Sequence, residues 1–259
     1  MDNYIECSYE IEGEGPALFL IHGIGAAKNA WRFVSPILKK KFKLITYDLR
    51  GHGESPIPKD KFNLDDLVRD LEALRKKLNI KKAHFAGHSL GGMIAPYYAR
   101  KFPDRVLSLG LISTAAGRNE EDKQKIFAVI KLMEDNGIEN VLKNLTNRWF
   151  TDTFIKKYPD IIQERLDQVI NTNPKIFLNV FRIYAETEMK PWLSEINKPS
   201  LILTGEKDGG CNPRLNKIIS SEIKKSKLII LPNYKHSLLI EAPDEVSKNL
   251  MDFIFSARD

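Results

Sequence analysis

The sequence predicts an α/β domain with a mostly parallel central sheet, helices on both faces and a wholly helical insertion. Three observations predict it. Short β-branched and aliphatic runs bounded by turn residues recur along the chain, and segments with apolar residues three and four apart lie between most of them. From Arg118 to Met189 that alternation stops and only the helical spacing persists. A length of 259 residues accommodates one large domain carrying such an insertion.

Taken in order, Tyr4 to Glu12 reads as an antiparallel edge strand that turns at Glu12-Gly13-Glu14-Gly15. Ala17 to Ile21, Leu44 to Tyr47, Ala83 to Ala86, Val106 to Ile112, Leu201 to Leu203 and Leu228 to Leu231 read as core strands. Strands covered on both faces stay apolar instead of alternating. Leu64, Leu67, Val68, Leu71, Leu74 and Leu78 mark a helical crossover between two of them. In the insertion the apolar positions Ile126, Val129, Ile130 and Met133, then Val141, Leu142 and Leu145, then Ile162, Leu166, Val169 and Ile170, then Phe177, Val180, Phe181 and Tyr184 keep the helical period. Helices inserted in such a chain need a surface to pack on, and the rim where the strands end supplies one. The expected division is a core domain of residues 1–117 and 191–259 and a helical cap, 118–190, over a cleft at the carboxyl edge of the sheet.

Composition narrows the function classes. Hydrophobic residues at 42% and charged residues at 29% are globular proportions. The net charge of +6 comes from short lysine groups such as Lys39 to Lys41 and Lys224 to Lys225. No basic stripe interleaved with aromatics occurs, so no nucleic-acid partner is expected. The two cysteines, Cys7 and Cys211, lie far apart and without metal-ligand spacing. The segment MDNYIECSYEIEGEG is acidic and polar, unlike a secretory signal, and runs such as Ala17 to Ile21 are too short to cross a bilayer. A cytoplasmic protein with no membrane partner is expected; monomer and homodimer are both open.

The chemistry concentrates in "FAGHSLGGM", Phe85 to Met93. Ser89 stands where a strand gives way to a helix, and Gly87 and Gly91, two residues to either side, let the two pass closely. Serine needs a base, and of five histidines His236 is the candidate, since it follows the last strand in a loop able to overhang the site. Asp208, after the preceding strand in "LILTGEKDGG", is the candidate acid, with Glu206 two residues earlier as the alternative. The chain order Ser89, Asp208, His236 is that of nucleophile-elbow hydrolases. The oxyanion donors expected are the N–H groups of Leu90, directly after the serine, and of Ile24 in "LIHGIGAAKNAW".

With "LIHGIG", "YDLRGHGES", "GHSLGG", "LTGEKD" and "NYKHSLLIEAPDEV", nearly the whole chain resembles the α/β-hydrolase fold superfamily. Its spacing is similar to the small esterases and the 3-oxoadipate enol-lactonase branch, beside the meta-cleavage product hydrolases. The resemblance implies serine-dependent hydrolysis of a small ester through an acyl-enzyme, with no metal or organic cofactor. A carbon–carbon hydrolase or enol-lactonase, a perhydrolase and a non-enzymatic ligand-binding protein are the alternatives. Ser89 argues against the haloalkane dehalogenases and epoxide hydrolases of this fold, whose nucleophile is aspartate. Ser237 after the histidine and His88 before the serine depart from the tryptophan and asparagine frequent in meta-cleavage hydrolases.

Several residues carry weaker readings. Asp48, Arg50, His52 and Glu54 in "DLRGHGES" resemble a structural turn of that family. Trp31 and Arg32 fit a helix face better than a substrate contact; His84 reads as packed and His88 as a support of the elbow. The cap aromatics Trp149, Phe150, Phe154, Phe177, Phe181 and Tyr184 form a cap core, and some of them line a pocket that would suit uncharged acyl or aryl groups.

Overall fold

A computed structural model describes residues 4–257, the Lys143 side chain apart. Its strands are β1 (Tyr9–Glu12), β2 (Ala17–Ile21), β3 (Lys43–Tyr47), β4 (Ala83–His88), β5 (Val106–Ile112), β6 (Ser200–Gly205) and β7 (Ser226–Leu231). They form one sheet in the order β1-β3-β2-β4-β5-β6-β7. β1 runs antiparallel to β3 and the other pairs are parallel. Helices α1 (Ser35–Leu38), α2 (Leu64–Lys77) and α3 (Gly91–Lys101) follow the second, third and fourth strands. α4 (Glu120–Asn136), α5 (Ile138–Trp149), α6 (Asp152–Lys157), α7 (Pro159–Ile170), α8 (Pro174–Glu186) and α9 (Lys190–Leu193) lie between β5 and β6. α10 (Pro213–Glu222) joins β6 to β7, and α11 (Leu238–Glu241) and α12 (Pro243–Ser256) end the chain.

The period of two in β2 divides the core. Leu18 and Leu20 face a cluster with Trp31, Leu38, Val246 and Leu250, whereas Phe19 and Ile21 face Leu67, Leu71, Phe85 and Ile94. The Phe19 and Phe85 rings stack with centroids 5.0 Å apart. Each fully buried side chain of this size contributes about 1.5–3 kcal/mol by leaving water. The inner strands are thereby fixed in register, and their carboxyl ends are brought side by side.

One strand is shorter than the sequence suggests. β1 begins at Tyr9, not Tyr4, because the preceding residues give their hydrogen bonds elsewhere. Ile5 N–H donates to Asp70 Oδ1 and Ser8 N–H to Ser55 Oγ, both at 2.9 Å, so this stretch does not join the ladder with β3.

The insertion leaves the sheet after β5 and starts α4 at a capping box. Asn119 Oδ1 accepts the Asp122 N–H at 2.8 Å and Asp122 Oδ2 accepts the Asn119 N–H at 3.0 Å. Entry and exit are tied by Glu188, whose two oxygens accept the Gly117 and Arg118 N–H groups at 2.8 and 3.0 Å. Met133, Val141, Leu142, Leu145, Val169 and Phe177 form a small core of the inserted helices. Among the described residues no helix is long and apolar enough to cross a membrane.

Candidate active site

Ser89 follows β4 with φ of +56°, a left-handed conformation that costs a non-glycine residue about 1–3 kcal/mol. The neighbouring glycines permit it sterically. A Cβ on Gly87 would overlap the Gly91 carbonyl, and one on Gly91 would overlap the Ile21 carbonyl of β2. Ser89 N–H donates to the Ile112 carbonyl at 2.9 Å, which fixes the turn to the end of β5.

The last two strands, β6 and β7, lead to the expected partners. His236 Nδ1 lies 2.8 Å from Asp208 Oδ2. Asp208 Oδ1 accepts the N–H groups of Gly210 and Cys211 at 2.9 and 2.8 Å, so the carboxylate is held at both oxygens. Glu206 instead accepts the Asn233 N–H at 3.0 Å in the turn after β7 and does not reach the imidazole. Donation of Nδ1–H to Asp208 leaves Nε2 of His236 as the ring atom free to take a proton. Ser89, Asp208 and His236 line one cavity of about 150 Å³.

The electrostatics separate the histidines. Burial works against a charged His236, but the Asp208 carboxylate outweighs it and raises this imidazole above its ordinary value. Asp208 is held below the usual carboxylate range, since the attraction of His236 overcomes its burial. His88 is pushed down to about 3, first by burial and then by His236 beside it. Its Nε2–H donates to the His236 carbonyl at 3.0 Å, so it braces the histidine loop as well as the elbow. His52 falls to about 4 and His22 well below its usual value, both chiefly through burial.

Neither the Ile24 nor the Leu90 N–H has a hydrogen-bond acceptor among the described residues. The Ile24 loop is braced from behind by the "DLRGHGES" turn, which explains that motif structurally. Asp48 Oδ1 accepts the Lys28 N–H at 2.6 Å and His22 Nε2 accepts the Leu49 N–H at 2.9 Å. Arg50 is anchored to Asp70 by two contacts of 2.7 Å.

The inserted helices cover this cavity with part of the expected set. Trp149, Phe177, Phe181 and Tyr184 line it; Phe150 and Phe154 do not. Those two stack on each other at the corner between α5 and α6, with centroids 5.7 Å apart, because that corner is pinned to α11. Thr151 donates its N–H and hydroxyl to Glu241 at 2.7 and 3.0 Å. Trp31 is wholly buried in the core, while Arg32, expected on a helix face, reaches the cavity.

Sequence reasoning missed Cys211, Arg148 and Arg165. Cys211 had a usable signal, since it sits three residues past Asp208 in the same loop. Its sulfur is 3.2 Å from the Tyr184 hydroxyl. Asp208, Cys211 and His236 place an oxygen, a sulfur and a nitrogen within 4.8 Å of one another, a donor set a zinc-like cation could use. The bonds already made by Asp208 and His236 account for the cluster as a hydrogen-bonded network. Arg165 donates from Nη2 to the Ile24 carbonyl at 3.0 Å and from Nη1 to the Gly25 carbonyl. Burial, with Arg32 nearby, lowers this guanidinium to about 10.

A family model described as the alpha/beta hydrolase fold matches residues 16–153, more than half of the chain. This chain belongs to the α/β-hydrolase fold family. The hydrolase is 27% identical to 3-oxoadipate enol-lactonase 2 of Acinetobacter baylyi over 232 residues, 90% of this chain and 86% of that one. Its fold is shared with the enol-lactonase of Burkholderia xenovorans LB400, at a TM-score of 0.90, 24% identity and 96% of each chain. It is shared equally with a thermophilic esterase of Thermogutta terrifontis, at a TM-score of 0.89 and 24% identity, over 98% of this hydrolase and 95% of the esterase.

Proposed function

We propose that this α/β-hydrolase cleaves small carboxylic esters through an acyl-enzyme on Ser89. The observation that carries the reading is the 2.8 Å bond between Asp208 and His236 in the same cavity as the strained Ser89 elbow. Ser89 Oγ attacks the carbonyl carbon while His236 Nε2 takes its proton, and Asp208 stabilises the imidazolium. The N–H groups of Leu90 and Ile24 receive the developing oxyanion, each donor supplying about 2.7–4 kcal/mol of transition-state stabilisation. The imidazolium returns its proton to the leaving alkoxide; water, activated by the same nitrogen, then releases the acid. Residues 118–190 act as a cap that shapes the acyl site.

A second reading, opening of an enol-lactone, is favoured by the enol-lactonase relative and uses the same groups. Its leaving oxygen stays tethered to the acyl chain, so one product forms instead of two. The test is turnover of a p-nitrophenyl ester series from acetyl to lauroyl beside an enol-lactone and a meta-cleavage product. A fluorophosphonate label is read by peptide mass. Labelling at Ser89 with loss of ester turnover is expected; full activity in labelled or serine-free protein would overturn the assignment.

A further inference from the structure

The Ser89 cavity carries a set of donors whose chemistry goes beyond proton transfer. Tyr184, Asp208, Cys211 and His236 all line it. Asp208 Oδ2 meets His236 Nδ1 at 2.8 Å, and the Cys211 sulfur lies 3.2 Å from the Tyr184 hydroxyl. One oxygen, one sulfur and one nitrogen of Asp208, Cys211 and His236 fall within 4.8 Å of one another. Around a tetrahedral zinc ion such atoms stand about 3.3–3.6 Å apart, as bonds of about 2.0–2.3 Å require. Side-chain movements of about 1 Å therefore turn the set into three corners of that tetrahedron.

Electrostatics and donor type point the same way. Asp208 first, and Cys211 after it, draw positive charge onto His236 against the effect of burial. A metal ion in place of the Nδ1 proton faces the same two groups. One carboxylate and one thiolate together offset a divalent charge. The neutral complex thus meets little repulsion from Arg118, which lies 4.2 Å from the Tyr184 ring centre. Sulfur and imidazole select a borderline-soft ion such as Zn²⁺ over Mg²⁺ or Ca²⁺, which take oxygen ligands. The fourth position is left for water or the Tyr184 hydroxyl. Cysteine spacing alone hid this set in the sequence, because His236 joins it from the loop after β7.

We propose that Asp208, Cys211 and His236 form an inhibitory zinc site, reached through the substrate cavity. On binding, Cys211 releases its thiol proton to solvent and the single proton of neutral His236 moves from Nδ1 to Nε2. That nitrogen is the atom assigned to accept the Ser89 proton, so the metal-bound protein has no base. Inhibition rests on the proposed role of His236; metal binding does not.

The test is p-nitrophenyl acetate turnover titrated with zinc chloride and then with excess EDTA, in the wild-type, Cys211→Ser and Cys7→Ser proteins. The wild type is expected to lose nearly all turnover and to recover it with EDTA. Half-inhibition of Cys211→Ser should need at least about tenfold more zinc, each variant being compared with its own metal-free rate. Cys7→Ser, whose thiol does not line the cavity, should respond as the wild type does. Unchanged turnover at millimolar zinc, or equal inhibition of the wild type and Cys211→Ser, would overturn the proposal. Cobalt(II) reads the site without turnover: a sulfur-to-cobalt charge-transfer band is expected in the wild type and not in Cys211→Ala. No band in the wild type, or an equal band in Cys211→Ala, also overturns it. A band that depends on Cys211 in protein that hydrolyses no ester would instead sink the hydrolytic reading and leave the metal site standing.

Discussion

The sheet edge and the inserted helices build the two sides of one cavity by different means. On the sheet side the groups are fixed by backbone: Ser89 at φ +56°, its N–H bonded to Ile112, glycines at 87 and 91 with no room for a Cβ, and two amides on Asp208. On the other side, side chains of amphipathic helices do the lining, and several hydrogen bonds hold them to the site region. Among these are Ser237 N–H to the Trp149 carbonyl at 2.9 Å, Thr151 to Glu241, Lys235 to the Asn147 carbonyl, and Arg165 to the Ile24 loop. The contrast teaches where change is tolerated. Backbone geometry shared by several strands alters only together, whereas each lining side chain can be exchanged alone, so the proposed function assigns reaction type to the sheet and substrate choice to the insertion, a division the following variants test.

The sharpest break is at Ser89. Ser89→Ala should lower kcat/KM by about 10⁴-fold or more, as loss of a serine nucleophile does, with an unchanged fold by circular dichroism. Ser89→Gly should be equally inactive yet more stable than the alanine variant by about 1 kcal/mol, because glycine adopts the left-handed turn without strain. Urea unfolding of the pair checks this; equal midpoints would mean the turn is not strained.

Next in size is the acid. Asp208→Asn should reduce kcat by about 10³–10⁴-fold, since the orientation and charge that support His236 are lost. The pH profile gives the sign. His236 acts as a base only when neutral, and its raised pKa keeps it protonated to higher pH, so wild-type kcat/KM should rise through an apparent pKa above 6.5. His22, His52 and His88 are pushed the other way and do not titrate in that window. Without the carboxylate, burial dominates at His236 and the acid limb should move to lower pH. A limb that stays in place in Asp208→Asn would assign it to another group.

Smaller again is a packing change on the rigid side. A Cβ at position 91 would overlap the Ile21 carbonyl and approach the His22 carbonyl to 2.8 Å, and strand backbone cannot step aside as a flexible side chain can. Gly91→Ala should therefore cost about 3 kcal/mol of stability, the upper range for overpacking, measured from the urea midpoint.

The same division decides how much the sequence revealed. The strands, the elbow and the order of Ser89, Asp208 and His236 were legible because each depends on local pattern: an apolar run, a turn, then one functional residue. β1 was overextended because Asp70 and Ser55, which capture the Ile5 and Ser8 N–H groups, are distant in sequence. Phe150 and Phe154 could not be told from Trp149 and Phe181 by period, since the corner that turns them away depends on Glu241. Arg165 looked like any polar helix position. Its meaning comes from the Ile24 and Gly25 carbonyls on the opposite wall, 141 and 140 residues away.

The mildest test works on the exchangeable side. Phe181 is half-buried, lines the cavity, and packs edgewise on Tyr184 and beside Phe177, with ring centroids 6.3 and 5.9 Å away. Phe181→Ala removes a wall without touching Ser89, Asp208 or His236, so the enlarged acyl space should favour longer chains. One methylene in an apolar pocket is worth about 1–3 kcal/mol, and a ratio of kcat/KM between hexanoyl and acetyl esters shifted about tenfold toward hexanoyl is expected. The p-nitrophenyl series measures it directly. A uniform fall across all chain lengths would show that this ring supports the sheet-side machinery, and the separation of reaction from selectivity would fail at that position.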